Sequence, residues 1–422
     1  MLQVLKSSWA LLLGMLFLMI GNGLQGTLLG VRGGMEQFST LTMSVVMSAY
    51  FVGFLGGSHL TPALIRRVGH VRVFAALASF ISAVLILYPA LPYSVTWVLG
   101  RMVIGFCFSG VYVTAESWLN NSASNENRGQ ALSLYMLVQM AGVVTAQGLL
   151  MLGDPAGYEL FVVSSVLVSI SFAPILLSIS PTPAFEAAKS MSLKELYHAS
   201  PLSFVGMFLM GGVFSAQFAM SAVYGTVAGL SLAEISIFVA SIYVGALVFQ
   251  YPIGWLSDRV DRRVLIMAIA LFGCVSALLG YVFEHNFMLL LMASFLLGGM
   301  ANPLYPLLIA YANDYLEVED MPAASGGFNF INGLGAIAGP LSIGWIMGQI
   351  GPGGFFLFLA SLMLLLALYA AYRMTQRAAI PVEETVSYSP ITPTASPVIM
   401  EVAQEVFIES AQEEGSHAAV KD

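Results

Sequence analysis

Apolar stretches of about twenty residues follow one another along most of the chain, cut by short charged loops or by Gly and Pro. They run at about 9–31, 41–63, 73–92, 94–118, 130–152, 159–179, 202–229, 233–256, 264–283, 287–312, 324–349 and 353–372. About 20 apolar residues in a helix cross the hydrocarbon core of a bilayer. The pattern therefore predicts an all-α membrane protein with twelve transmembrane helices.

The polar positions orient those helices. Lys and Arg in short loops are retained on the cytoplasmic side. With the N-terminus inside, Lys6, Arg66, Arg67, Arg72, Arg128, Lys189, Lys194, Arg259, Arg262, Arg263, Arg373, Arg377 and Lys421 all lie on that side. Arg32 alone faces out, and Arg101 falls within the fourth stretch. An even number of spans with both termini cytoplasmic satisfies this count. The first stretch has Lys6 before it but no small-x-small cleavage site, so it is read as a helix and not as a secretory signal.

Composition agrees with a bilayer as solvent: 58% of residues are hydrophobic, 9% are charged, and there are 41 Gly and 23 Met. The net charge of −8 is misleading, because eight acidic residues and Lys421 lie from Ala378 onward and leave the membrane body nearly neutral. That region also holds Pro381, Pro390, Pro393 and Pro397, and 378–422 reads as a disordered acidic cytoplasmic tail. Glu401, Glu405 and Glu409 stand at i, i+4 spacing there, as an adaptor site or a plain solvated tail would have them. Cys107 and Cys274 have no redox or ligand spacing, and the five His form no metal cluster, so no cofactor or metal is expected.

The chain repeats itself. Gln25 matches Gln217, and Ala49-Tyr50-Phe51-Val52-Gly53 matches Ser241-Ile242-Tyr243-Val244-Gly245, at an offset of 192. At 193, Val111-Tyr112 meets Leu304-Tyr305, Asn120 meets Asn313, Gln139 meets Asn332 and Gly142 meets Gly335. Six helices are thus duplicated in one orientation. The expected organisation is a first half at 1–180, a cytoplasmic linker at 181–200, a second half at 201–377 and the tail.

The loop Gly254-Trp255-Leu256-Ser257-Asp258-Arg259-Val260-Asp261-Arg262-Arg263 concentrates charge between two apolar stretches, and Pro62 to Arg72 forms its earlier, basic version with Arg66, Arg67, Gly69 and Arg72. Twelve spans, a 6+6 parallel repeat and Gly-x-Leu-x-Asp-Arg-x-x-Arg-Arg after the eighth stretch resemble the major facilitator superfamily over about 5–375. The resemblance implies a secondary transporter that rocks two halves around a central cavity. Arg66 and Pro62 stand where the family usually has Asp and Gly, and Asp261 where it usually has Gly. Arg66-Arg67-Val68-Gly69, Glu116-Ser117-Trp118-Leu119-Asn120 and Asn127-Arg128-Gly129 further resemble the YcaD-like bacterial branch. The Gly-Pro run of family drug/proton antiporters is missing from the fifth stretch; Gly339-Pro340, in the eleventh, reads as a packing kink.

Candidate residues follow from charge at depth and from that resemblance. Arg101 stands about seven residues, roughly 11 Å, into its helix, where an unpaired charge costs several kcal/mol. Arg101-x-x-x-Gly105-x-x-x-Ser109-Gly110 is similar to the family's fourth-helix motif, which implies a cavity-lining arginine; snorkelling to the interface is the alternative. Glu116, about 22 Å further along, could latch onto Arg67, Arg72 or Arg128, or carry a proton. The resemblance implies that Asp258 contacts a helix end or a basic group across the cytoplasmic gate, with Arg259, Arg262 and Arg263 marking topology. It also implies that helices one, four, seven and ten line the cavity, making Asn22, Gln25, Gln217, Asn302 and Tyr305 candidates. Gln139 and Asn332 form a symmetric amide pair, with Asn329 one turn away; interhelical glue is the competing role. Phe106, Phe108, Trp118 and Phe330 would suit an apolar pocket or simple packing. Gly21, Gly23, Gly26, Gly30 and Gly335 permit close helix approach.

No phosphate-loop motif or catalytic triad is present, so neither an enzyme nor an ATP-driven pump is expected. The expectation is a monomeric, multi-pass, bacterial inner-membrane secondary transporter. It would take a small organic solute by alternating access, with protons as the coupling ion, and no nucleic acid. A gradient-independent facilitator, or a transporter-derived receptor or scaffold signalling through the tail, are the alternatives.

Overall fold

The computed structural model describes residues 2–122, 128–177, 191–317, 320–377, 380, 381, 385 and 388. Its helices are α1 (Leu2–Met35), α2 (Thr40–Val68), α3 (His70–Ala90), α4 (Ser94–Ser122), α5 (Arg128–Leu150), α6 (Glu159–Ser171), α7 (Ala173–Leu177) and α8 (Leu193–Ala199) in the first part of the chain. The second part has α9 (Pro201–Ser215), a π-helical turn (Ala216–Met220), α10 (Ser221–Val227), α11 (Leu232–Ser257), α12 (Arg262–Val282), α13 (Phe287–Asn313), α14 (Met321–Ile350) and α15 (Gly354–Met374). Eleven helical stretches among the described residues are long and apolar enough to cross a membrane, α9, the π turn and α10 counting as one. The stretch predicted at 159–179 differs. Its helix breaks after 13 residues, at Phe172, and resumes as α7 around Pro174, whose missing N–H cannot continue the α6 ladder.

Polar residues set the helix starts. Ser39 caps α2, Ser231 forms a capping box with Glu234 at α11, and Asn286 caps α13. The predicted linker is not featureless: Ser192 and Glu195 build a capping box for α8, whose Leu196 is buried against Gly327. Residues 178–180, the first ten of the linker (181–190) and nearly all of the tail lie outside the described residues.

The packing repeats as the sequence does. In the first half α2 packs on α4, α1 on α5, and α3 on α4 and α6; in the second, α11 packs on α13, α9 on α14, and α12 on α13 and α15. Glycine permits the tightest crossings. A Cβ at Gly53 would overlap the Met102 carbonyl and one at Gly105 the Tyr50 carbonyl; at the repeat-related Gly245 and Gly298 it would overlap the Phe295 and Ile242 carbonyls. Gly21, Gly23, Gly30 and Gly335 are also at close approaches, Gly26 is not, and Gly339 lies against Ser215, a packing position within α14.

The halves meet along α2–α14, α1–α10 and α5–α11. One end of the bundle carries the α2–α3 and α11–α12 loops and is here called the basic end. At the opposite end the seam is tight: Gly30 sits on Ala222, Gly34 on Thr226 and Gly344 on Ser44, and Ser48 Oγ donates to the Ile337 carbonyl at 2.7 Å. Toward the basic end α5 and α11 part around a cavity of about 480 Å³.

Candidate functional site

Arg101, two turns into α4, has no exposed surface. Its guanidinium does not reach an interface but turns inward, donating from Nη1 to Gln25 Oε1 of α1 at 3.1 Å and from Nη2 to Met47 Sδ of α2 at 3.3 Å. It also lies 4.8 Å from the ring centre of Tyr50. The chain continues as Gln25 Nε2 donates to Asn22 Oδ1 at 3.1 Å, Asn22 Nδ2 to Tyr112 Oη at 3.4 Å, and Tyr112 Oη to Met19 Sδ at 3.4 Å. Asn22 and Gln25, one turn apart on α1, thus bond to each other. Arg101 Nε has no hydrogen-bond partner, and no described carboxylate forms an ion pair with the guanidinium. Buried cations are ordinarily paired; this one rests on neutral dipoles, a sulfur and a ring face.

The second half holds a weaker echo. Asn302 Nδ2 of α13 donates to Gln217 Oε1 at 3.2 Å and to the Gly298 carbonyl at 3.0 Å, and Gln217 Nε2 is buried without a partner. Gln217 sits in the π turn, a local widening that recurs at functional sites. Ser215 and Ser221 flank it and return their hydroxyls to the Gly212 and Gln217 carbonyls at 3.1 and 2.7 Å, competing with the regular ladder. Gln139 and Tyr305 are buried; Asn332 Nδ2 donates to the Met207 carbonyl at 3.1 Å, joining α14 to α9. Asn329 and Asn332 line a narrow crevice with Tyr50, Phe51, Phe54 and Phe214 where the halves meet. Phe218 adds to this aromatic seam, 5.6 Å from both Tyr50 and Phe214. The seam is built from rings other than Phe106, Phe108 and Trp118, while Phe330 meets His59 at 5.7 Å across α14 and α2.

At the basic end the two loops are handled differently. Arg66, Arg67 and Arg72 are exposed, and Gly69 turns the chain with φ +84°, a left-handed value that favours glycine. Asp261, its mate, has φ −56° and caps α12, so this loop does not need the family's glycine. It accepts from Arg263 N, Nε and Nη2 at 2.9, 3.1 and 2.7 Å. Burial would raise the Asp261 pKa, but these bonds and the Arg263 charge hold it below the usual carboxylate value. His70 and Arg262, again mates, tie each half's third helix to its fourth: His70 Nε2 meets Ser117 Oγ at 2.9 Å, and Arg262 Nη1 reaches the Ala310 carbonyl at 3.2 Å and pairs with Asp314. Asp258 stays within its own half, 3.4 Å from Arg262, and also accepts from the backbone of Tyr388. Arg259 stacks on Trp255 at 4.2 Å. Glu116 is 1% exposed and accepts from Tyr135 Oη of α5 at 3.0 Å. The Arg128 side chain lies outside the described residues. The cavity itself is lined by Met136 and Met140 of α5, Gln250, Gly254 and Asp258 of α11, and Asn302 of α13.

Sequence reasoning missed Met47, Tyr50, Tyr112 and the His70–Ser117 tie. Tyr50 and Tyr112 were visible only as members of the repeated segments, because a buried tyrosine carries no periodic signature of its partner.

Comparison with known proteins agrees with this architecture. At 28% identity over 358 residues, the chain is similar to an uncharacterized MFS-type transporter, YcaD, of Escherichia coli, with 83% of this chain and 91% of that one aligned. Its fold is similar to that of the nucleoside transporter NupG, with a TM-score of 0.69 at 13% identity, covering 88% of this chain and 99% of that one. A bacterial homolog of the human lysosomal transporter Spinster, solved inward-facing and unoccupied, gives 0.68 at 13%, covering 96% and 98%. The model of the Major Facilitator Superfamily matches residues 11–244 and 202–402, and the chain belongs to that family of transporters.

Proposed function

We propose that this protein is a secondary transporter that moves a small organic anion by alternating access, with Arg101 as the anchor for the anionic group. The observation that carries the reading is a fully buried guanidinium with neutral partners and an orphaned Nε. A desolvated charge without a counter-charge is costly and marks solute or ion pathways. A carboxylate or phosphate-like group would supply both the missing charge and the missing acceptor.

Positive-inside orientation puts the basic end in the cytoplasm of a bacterial inner membrane, with both termini there. The tight opposite seam and the cavity between α5 and α11 then correspond to an inward-open form. Arg101 lies on the closed side, so delivery of the solute requires the halves to rock. Proton coupling is placed on Glu116, a buried carboxylate bonded to Tyr135. The protein works as a monomer in this reading.

The test is a thermal-shift screen of the detergent-purified protein against organic anions and neutral metabolites, repeated with Arg101→Gln, and then flux of each hit into vesicles. A ligand at 100 times its dissociation constant stabilises by about 2.7 kcal/mol. Anions that shift the protein and not the variant support the reading; anions that shift both remove Arg101 from the site. Flux of Glu116→Gln that still follows a pH gradient excludes that carboxylate as the coupling group.

A further inference from the structure

Tyr388 belongs to the acidic tail, yet its side chain lines the cavity between α5 and α11. Its hydroxyl accepts from Gln250 Nε2 at 2.7 Å, and its backbone N–H donates to Asp258 Oδ1 at 2.8 Å. Between these two bonds the ring covers Gly254, where an added Cβ would come within 2.6 Å of it. Gln250, Gly254 and Asp258 are four residues apart and form one stripe along α11. The stripe has an amide for the hydroxyl, a missing side chain for the ring and a carboxylate for the backbone.

The repeat shows that this slot is particular to α11. The mates of Gln250, Gly254 and Asp258 in α2 are Ser58, Pro62 and Arg66. They offer no glycine gap and a cation where the carboxylate stands. The residue just before the tail is also fastened: Arg377 lies 3.7 Å over the Tyr315 ring and donates to the Ala199 carbonyl at 3.1 Å, and Arg263 donates to the Arg377 carbonyl at 2.6 Å.

The geometry points to Tyr388 as a plug acting within its own chain, seated in the α11 slot so that it closes the basic-end mouth of the cavity. The slot's occupant is the phenol of Tyr388, its hydroxyl held by Gln250 and its backbone N–H by Asp258. Because Asp258 belongs to the loop motif, seating the tail also engages the residue that the motif places at the mouth. The importance of the plug for flux rests on the transporter reading above; its seating does not.

The experiment is the labelling rate of Met140→Cys, on the cavity wall, by a water-soluble maleimide in the full-length purified protein. Cys107 and Cys274 are buried and give the background, measured without the added cysteine. Adding Tyr388→Ala keeps the backbone bond to Asp258 but removes the hydroxyl's bond to the Gln250 amide and the ring contact over Gly254, and is expected to speed labelling roughly tenfold. Gly254→Ala, which fills the slot from the other side, is expected to do the same, and Tyr388→Phe to give a smaller rise. Each variant is matched by its melting temperature, so that general loosening is recognised. An unchanged rate in Tyr388→Ala and Gly254→Ala overturns the plug. Faster labelling with no flux of any solute in vesicles leaves the plug standing and overturns the transporter reading instead.

Discussion

Arg101 keeps its charge among a glutamine, a methionine sulfur and a tyrosine face, and that choice of partners sets what its replacement does. A structural arginine in a core is destabilising to remove, because its counter-charge is left behind. Here no described carboxylate is left behind. Arg101→Met is therefore expected to leave the melting temperature of the ligand-free protein unchanged or higher. Affinity for the anion should fall at least tenfold, in line with about 1.5–3 kcal/mol for a hydrogen bond to a charged group. A loss of thermal stability like that of a core truncation, about 2–5 kcal/mol, would assign Arg101 to the scaffold. Asp261 offers a second test with a definite sign. Its pKa is depressed in the folded protein, so its contribution is present above the unfolded value of about 3.9 and is lost as pH falls through the lower folded value. Melting temperatures of the protein and of Asp261→Asn should differ at neutral pH and converge on acidification below about pH 4. A gap that persists there would mean that the cap does not work through its charge.

Helices touch backbone to backbone where glycine allows it, and the four crossings at Gly53, Gly105, Gly245 and Gly298 are two copies of one contact. Alanine at any of them must push two helices apart, and overpacking of this kind costs about 1–3 kcal/mol. Alanine at Gly148 or Gly348 meets open space and should be neutral or slightly stabilising, since glycine is the poorer helix former. Melting curves of the six variants would separate the two groups, and a mixed order would show that the crossings are not the tight points of the fold. The contrast also shows what was legible beforehand. Gly53 and Gly245 stood out in the sequence because the repeat pairs them, and apolar length located the helices. The π turn at Gln217 was hidden, since it depends on Ser215 and Ser221 returning hydroxyls to the backbone, which composition does not reveal. The break at Phe172 had a visible cause in Pro174, but hydropathy continues across it and a count of apolar length passes over it. Arg101 was legible as a buried charge, but its partners on α1 and α2 came from packing that a linear pattern does not record.

Across the whole molecule the two seams between the halves are unequal, and the proposed alternating access requires that inequality to reverse. At the end away from the basic loops, Gly344 of α14 rests on Ser44 of α2: a Cβ built on Gly344 would lie 2.2 Å from Ser44 Cβ, so the two helices must part by roughly 1.5 Å before a disulfide there reaches its usual Cβ separation of about 3.8 Å. The double substitution Ser44→Cys and Gly344→Cys should cross-link on oxidation and hold the two halves together at this seam. If Arg101 receives its solute from that side, oxidised protein in vesicles should show no flux, and reduction should restore it. The native cysteines, Cys107 and Cys274, are both buried and lie in different halves, so single-cysteine controls isolate the engineered bond. Flux that continues through the oxidised protein would mean that solute reaches Arg101 without the halves parting at this end. The path would then have to run along the α5–α11 opening, and the tail seated there would control the sole route and not one of two.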